Sequence, residues 1–358
     1  MQEFSCKTKI ISGPGAVSAL KNIGIQKALI VTDPYFAKNG QAERIAGLTG
    51  AQTEIFAEIS PDPTVELVAA GTERFKALQP DTVIALGGGS TMDTAKAICC
   101  FGGKARLVAI PTTSGSGSEV TDFAVLTHGA VKHPLIDPSL QPEVAILDSD
   151  LLEALPPALI ADSGFDVLSH ALEAYVATGA SPITDALAAH AFSAAFASLP
   201  ASFAGNTTVR LKIHQAATMA GMAFHSAGLG LCHAMSHALG GMFHLPHGRL
   251  NAILLPAVVD VNGYLAGEKY AHLARHAGLG SSADTVAVRN LKNGLIRLRR
   301  ELRLPDSLLQ AGVDPRLVRK NAPQLVEAAL SDPCCKTNPL PVEDYMVRSV
   351  LEAVTGRG

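Results

Sequence analysis

Four of the chain's twelve histidines, His233, His237, His244 and His247, crowd into the stretch GLCHAMSHALGGMFHLPHGR. His233 and His237 are four residues apart, a spacing that stacks two side chains on one face of a helix. Upstream, GFDVLSHALEAY sets Asp166 and His170 at the same spacing. A lone histidine usually finds only a hydrogen bond, but two such pairs in one chain point elsewhere. One carboxylate and three imidazoles make an oxygen and nitrogen donor set suited to a first-row divalent ion, with no thiolate needed. An ion held this way would act as a Lewis acid toward a bound oxygen. Cys232 adjoins His233 and therefore points away from that helix face.

A second group of residues could hold a phosphorylated cofactor. TVIALGGGSTMDTAKA reads as an apolar strand, a glycine turn from Gly87 to Gly89, and a helix opened by Ser90 or Thr91 with Asp93 in its first turn. Glycines let the backbone approach an anion, and a helix N-terminus offers unpaired N–H groups, so the turn can cradle a pyrophosphate. Alone, such a turn is as often only a tight connection. It lacks the GxGxxG fingerprint, and Asp33, the candidate ribose acid, precedes the glycines instead of following them. Asp33 nonetheless ends the strand KALIVTD, and strand carboxyl ends face the ligand crevice in parallel sheets. A cap before Pro34 is its plain alternative. The loop IPTTSGSGSEVTD, residues 110–122, follows another strand and offers hydroxyl donors to phosphate and ribose oxygens.

These residues need elements to position them. KALIVTD, TVIALGGG, RLVAIPTT and VAILD are short β-branched runs separated by helix-length segments, which predicts βαβ units and a mostly parallel sheet. After LPPALIADSG the texture becomes Ala-rich and helical, as in ALAAHAFSAAFASL. The expected fold is an α/β dinucleotide-binding domain over 1–150 and an all-helical metal-binding and substrate domain over 151–358, with chemistry expected in the cleft between them.

Composition narrows the partners. With 47% hydrophobic residues, 17% charged residues and a mean hydropathy of +0.24, the chain is expected to be compact, with apolar surface to spare for a subunit interface. A net charge of −3 and no run of Lys or Arg give no footprint for nucleic acid or an anionic membrane. The segment MQEFSCKTKI carries charges where a signal peptide needs an apolar core, and no stretch reaches 18 uninterrupted apolar residues, so a cytoplasmic location without a membrane span is expected. The six cysteines form no CxxC and are expected to be reduced thiols.

The blocks GGGSTMDTAKA, PTTSGSGSEVT, GFDVLSHALEAY, GLGLCHAMSHALGG and LPHGRLNAILLP resemble the signature blocks of the iron-containing alcohol dehydrogenases. The likeness runs from SGPGAV to TNPLPVEDY, and the propanol dehydrogenases of propanediol-utilisation operons are the branch it looks most like. It implies metal ligation by Asp166, His170, His233 and His247, with His237 as a catalytic histidine beside the nicotinamide. On the cofactor side it implies Asp33 for the ribose, and Gly88, Gly89, Ser90 and Asp93 for the pyrophosphate. Thr112, Thr113, Ser116, Thr121 and Lys132 supply the remaining NAD contacts. Fe2+ is the implied metal, with Zn2+ the alternative. The resemblance further implies a short primary alcohol or aldehyde as substrate and a cytoplasmic homodimer, with a bacterial microcompartment an alternative setting. Two other functions stay open. A polyol-phosphate dehydrogenase or dehydroquinate-synthase-like lyase would need convergent cations, of which the helical blocks offer only Arg249. A non-catalytic scaffold would not need complete ligand and glycine blocks.

Overall fold

A computed structural model describes residues 3–128 and 131–356, the side chains of 131 and 132 excepted. Cys6–Leu155 forms one compact unit and the residues from Pro156 onward form another.

The first unit is built on eight strands: β1 (Lys9–Ser12), β2 (Lys27–Thr32), β3 (Gln52–Phe56), β4 (Thr82–Gly87), β5 (Arg106–Pro111), β6 (Phe123–His128), β7 (Val131–Ile136) and β8 (Val144–Leu147). Its helices are α1 (Pro34–Lys38), α2 (Gln41–Thr49), α3 (Val65–Leu78) and α4 (Gly89–Gly102). Six strands form a wholly parallel sheet in the order β1-β8-β5-β4-β2-β3, and β6 and β7 pair as an antiparallel hairpin. Alternation along the strands feeds two cores. Leu29, Val31, Val83 and Ala85 point into one, while Ala28, Ile30, Ile84 and Leu86 point into the other. Burial on both faces explains why β4 is buried at every position and reads as a continuous apolar run.

This unit ends later than the expected boundary at residue 150. Asp148 accepts the N–H groups of Gly15 and Val17 at 3.0 and 2.9 Å, and Leu151 packs into the sheet core, so the turn Ser149–Leu152 belongs with the strands.

The second unit is helical: α5 (Pro157–Val176), α6 (Pro182–Phe203), α7 (Arg210–Ala227), α8 (Leu231–Phe243), α9 (His247–His276), α10 (Asp284–Glu301), α11 (Pro315–Ser331) and α12 (Asp344–Thr355). From Gly164 to Val176, α5 is buried at every residue, so neighbours surround it and it can present polar side chains into the interior. Helix α9 continues past Pro256, which lacks an N–H for the Ala252 carbonyl; the buried Arg299 donates to Ala252 O at 3.2 Å instead. By length and composition alone, α6 and α9 could each cross a bilayer. Yet α9 buries Asn251 and Asn262, whose amides donate to Asp166 and Asn338 within the protein, the pattern of a core helix.

Candidate active site

The residues expected to cradle a cofactor lie at the carboxyl ends of β2, β4 and β5, which the pairings Thr32↔Leu86 and Gly87↔Pro111 bring side by side. The helix after β4 begins at Gly89 with Gly88 as its cap, earlier than the Ser90 or Thr91 opening expected from the hydroxyls, and no side chain caps it. Its first N–H groups are therefore open to a ligand. A Cβ on Gly88 would stand 3.2 Å from Thr113 Oγ1, and one on Gly89 would stand 3.3 Å from Ser116 Cβ. Glycine at both positions lets the hydroxyl loop close onto the turn.

Asp33 caps α1: its Oδ1 accepts from the N–H groups of Tyr35 and Phe36 at 2.9 and 3.1 Å. That is the local alternative weighed above, and it leaves the second carboxylate oxygen for a ribose. Asp93 faces the loop, with Oδ1 accepting from Ser118 Oγ and Oδ2 from the Val125 N–H, both at 3.0 Å. Thr112 and Thr121 are buried, while Thr113 and Ser116 are half-exposed. The Lys132 side chain lies outside the described residues.

Lys96, which sequence reasoning missed, ties these parts together. Fully buried, its ammonium donates to Ser118 Oγ at 2.8 Å, Thr121 Oγ1 at 3.0 Å and the Phe123 carbonyl at 2.8 Å. Burial pulls its pKa down to about 8, against the pull of Asp93, Glu119 and Asp122. Its only sequence signal is a lysine three residues after Asp93 on the same helix.

In the helical unit, α5 carries Asp162, Asp166, His170 and Glu173 along one face, α8 carries His233 and His237, and α9 opens with His247. Donor atoms of Asp166, His233 and His247 lie within 4.8 Å of one another. His247 Nε2 stands 3.5 Å and His170 Nδ1 3.9 Å from Asp166 Oδ1. The His170 ring stacks between Phe224 and His233, with centroids 4.4 and 4.5 Å away. His244, an equal candidate by spacing, is exposed in the left-handed C-cap of α8 and outside the group. The Cys232 sulfur faces Asn251, not the donors.

Buried carboxylates hold this arrangement. Asn251 donates to Asp166 at 2.9 Å, and burial raises the Asp166 pKa while His170 and Asn251 oppose the shift. Glu173, another residue that sequence reasoning missed, sits 2.6 Å from His233 Nδ1 and also accepts the N–H groups of Gly230, Cys232 and His233. A Cβ on Gly230 would stand 2.9 Å from this carboxylate, so glycine is needed there. Burial pushes Glu173 up to about 7, and burial together with His170 and His237 drives His233 well below its ordinary value, leaving the imidazole neutral. With Nδ1–H donated to Glu173, the Nε2 lone pair of His233 is buried and has no hydrogen-bond partner among the described residues. Such an atom is costly unless something coordinates it. Asp166, His247 and this orphan nitrogen converge as one carboxylate and two imidazoles, a donor set that fits a divalent metal, while His170, 3.9 Å from Asp166, stands outside that converging group.

Arg249, the one cation in the sequence blocks, is engaged by Asp162 at 2.9 and 3.2 Å. His237 Nδ1 lies 2.8 Å from Asp332 Oδ2, and its ring stacks on His247 at 5.2 Å. Burial alone would raise Asp332, but the His237 contact and the Cys334 N–H outweigh it and hold the carboxyl at about 2. Glu173 sits three residues past His170 in the same block and could have been found by that spacing, whereas Asp332 has no local signal.

Comparison with known proteins identifies the family. Residues 7–149 match the family model for iron-containing alcohol dehydrogenase, and 160–355 match the model for the C-terminal part of the same family. The 1-propanol dehydrogenase PduQ of Salmonella typhimurium is 40% identical, over 98% of this chain and 99% of that protein. The structure of an iron-containing alcohol dehydrogenase from Thermococcus thioreducens is 34% identical with a TM-score of 0.92, covering 99% of this chain and 100% of that one. A sulfoacetaldehyde reductase from Bifidobacterium kashiwanohense, solved in complex with NAD+, is 27% identical with a TM-score of 0.92 over the full length of both chains. The chain belongs to the iron-containing alcohol dehydrogenase family: it is an alcohol dehydrogenase of small alcohols and aldehydes, and membership implies a divalent metal and a nicotinamide dinucleotide.

Proposed function

We propose that this chain interconverts two- to four-carbon primary alcohols and their aldehydes with NAD, using Fe2+ or Zn2+ held by Asp166, His170, His233 and His247. The observation that carries the metal assignment is the buried Nε2 of His233, which has no hydrogen-bond partner among the described residues although donors of Asp166 and His247 lie within 4.8 Å. The metal, when bound, supplies the Lewis acidity that lets the substrate hydroxyl lose its proton at neutral pH, and NAD takes the hydride. Glu173 holds His233 in the tautomer that presents Nε2. His237, fixed through Nδ1 by Asp332, keeps Nε2 as the acceptor for the substrate proton and passes it toward solvent, to which its side chain is 36% exposed. Phe224, buried and stacked on His170, puts an apolar wall beside the donor group of the helical unit.

The free oxygen of Asp33 supports NAD over NADP, because a carboxylate accepts from ribose hydroxyls but repels a 2′-phosphate. Engagement of Arg249 by Asp162 leaves that cation unsuited to a substrate phosphate, which weighs against a polyol phosphate. Each methylene buried against apolar walls contributes about 0.8 kcal/mol, so neighbouring chain lengths should differ only a few-fold in kcat/KM. The similarity to a 1-propanol dehydrogenase favours propanal and propanol within that range. The reading also takes the enzyme as a cytoplasmic homodimer, supported by its apolar composition, and sedimentation of the purified chain tests the dimer.

The deciding experiment strips the protein of metal, restores Fe2+ or Zn2+, and measures kcat/KM for ethanol, 1-propanol, 1-butanol, glycerol and a polyol phosphate with NAD and NADP. A preference for the polyol phosphate, or turnover indifferent to metal, overturns the proposal.

A further inference from the structure

Beside the Asp166, His233 and His247 group lies a second set of donors. His237 on α8, Asp332 at the end of α11 and Cys334 in the turn Pro333–Thr337 bring one nitrogen, one oxygen and one sulfur within 4.8 Å of one another. The backbone shapes the set. Asp332 Oδ1 accepts the Cys334 N–H at 2.8 Å, which folds the cysteine back over the carboxylate, while Oδ2 faces His237 Nδ1 at 2.8 Å. On a tetrahedral ion with nitrogen and oxygen at about 2.1 Å and sulfur at about 2.3 Å, neighbouring ligands stand roughly 3.4–3.6 Å apart. The His237–Asp332 contact has to widen by about half an ångström, and the sulfur has to close by little more than about 1 Å. All three residues are only partly buried, which gives an ion a route in from solvent.

We propose that His237, Asp332 and Cys334 form a second divalent-metal site, distinct from the Asp166 group, which takes a thiophilic ion of the Zn2+ class with water in the fourth position. The sulfur sets its selectivity, because a thiolate favours zinc, cobalt or cadmium over a hard ion, whereas the first group offers only oxygen and nitrogen. Binding releases the Cys334 thiol proton to solvent, and thiolate plus carboxylate then balance the two charges of the ion. Occupancy removes His237 as a proton acceptor, so the site is inhibitory; that consequence, unlike the binding itself, rests on the function proposed above.

The test is a Co2+ titration of the metal-free full-length protein, followed by equilibrium dialysis and by the near-ultraviolet thiolate-to-cobalt charge-transfer band. Two equivalents are expected, with the band arriving with the weaker. Cys334→Ser should lose the band and one equivalent, Asp332→Asn should weaken that equivalent about tenfold, and Cys335→Ser should keep both. In turnover, Zn2+ beyond the first equivalent should inhibit the parent enzyme but not Cys334→Ser. A parent protein that binds one equivalent with no band, or a band that survives Cys334→Ser, overturns the proposal. A band without the first, sulfur-free equivalent would instead sink the catalytic-metal reading and leave this site standing.

Discussion

Replacing Glu173 by glutamine changes one oxygen for an NH2 group at the point where α5, α8 and a metal ligand meet. In the native site Oε1 accepts the Cys232 N–H at 2.6 Å, while Oε2 accepts from the Gly230 N–H at 2.9 Å and stands 2.6 Å from His233 Nδ1. Glutamine has one acceptor oxygen for these two positions. If it takes the Oε2 place, its NH2 opposes the Cys232 N–H; if it takes the Oε1 place, the NH2 opposes Nδ1–H and drives the His233 proton to Nε2, abolishing the lone pair a metal needs. Each stranded buried donor costs about 1–3 kcal/mol. Loss of such a carboxylate behind a metal histidine lowers metal affinity about 10–100-fold, which is roughly 1.4–2.7 kcal/mol. Alanine should cost stability more severely, about 3–5 kcal/mol, because it leaves all these donors without an acceptor. Chelator competition with Zn2+ gives the affinity, urea unfolding gives the stability, and 15N spectra of the histidine rings report the His233 tautomer. A glutamine variant that binds metal within about twofold of the parent, with the tautomer unchanged, would refute the reasoning.

Four further outcomes follow from the same geometry. A Cβ on Gly248 would stand 1.9 Å from the Asp162 carbonyl oxygen, so Gly248→Ala should push the start of α9, and His247 with it, away from α5. We expect about 1–3 kcal/mol lost in urea unfolding together with weaker metal binding, whereas Gly263→Ala, with nothing within 4 Å, should be neutral or slightly stabilising. Asp33→Gly should lower the NAD-to-NADP ratio of kcat/KM by about tenfold or more, and a parent enzyme that already prefers NADP would show that another residue sets coenzyme choice. His237→Ala should retain one tightly bound metal while turnover falls by about 10²–10⁴; loss of that metal would make it a ligand of the first site. In the metal-free protein, burial raises Glu173 from 4.5 to about 7. A raised folded-state pKa contributes stability that is full below about 4.5 and lost as pH climbs through about 7, so the thermal midpoint should fall across that window relative to Glu173→Gln. Parallel profiles for the two proteins would contradict it.

The sequence alone revealed those parts of the fold whose signal is local. β2, β4, β5 and β8 are the central strands, buried on both faces, and each reads as an unbroken apolar run. The edge strands β1 and β3 are short and largely unburied, so their apolar signal is weak, and they were not singled out. Asp166 with His170 and His233 with His237 were legible because helical spacing is set within four residues.

What the local pattern left open was which of the crowded histidines share one site. His233, His237, His244 and His247 are equal candidates by proximity in sequence, yet His247 meets Asp166 only because Gly248 lets α9 approach α5, and His244 is turned outward by the left-handed end of α8. Spacing from His170 could have flagged Glu173, but its role, like those of Asp332 and Lys96, depends on a partner brought up by another element: His233 for Glu173, His237 for Asp332, and Ser118, Thr121 and Phe123 for Lys96. Spacing fixes which side chains share a face of their own helix. Which faces meet is decided by packing across the whole core, where a glycine without a Cβ or a carboxylate with several N–H donors around it selects one arrangement among many that the helical pattern alone would allow.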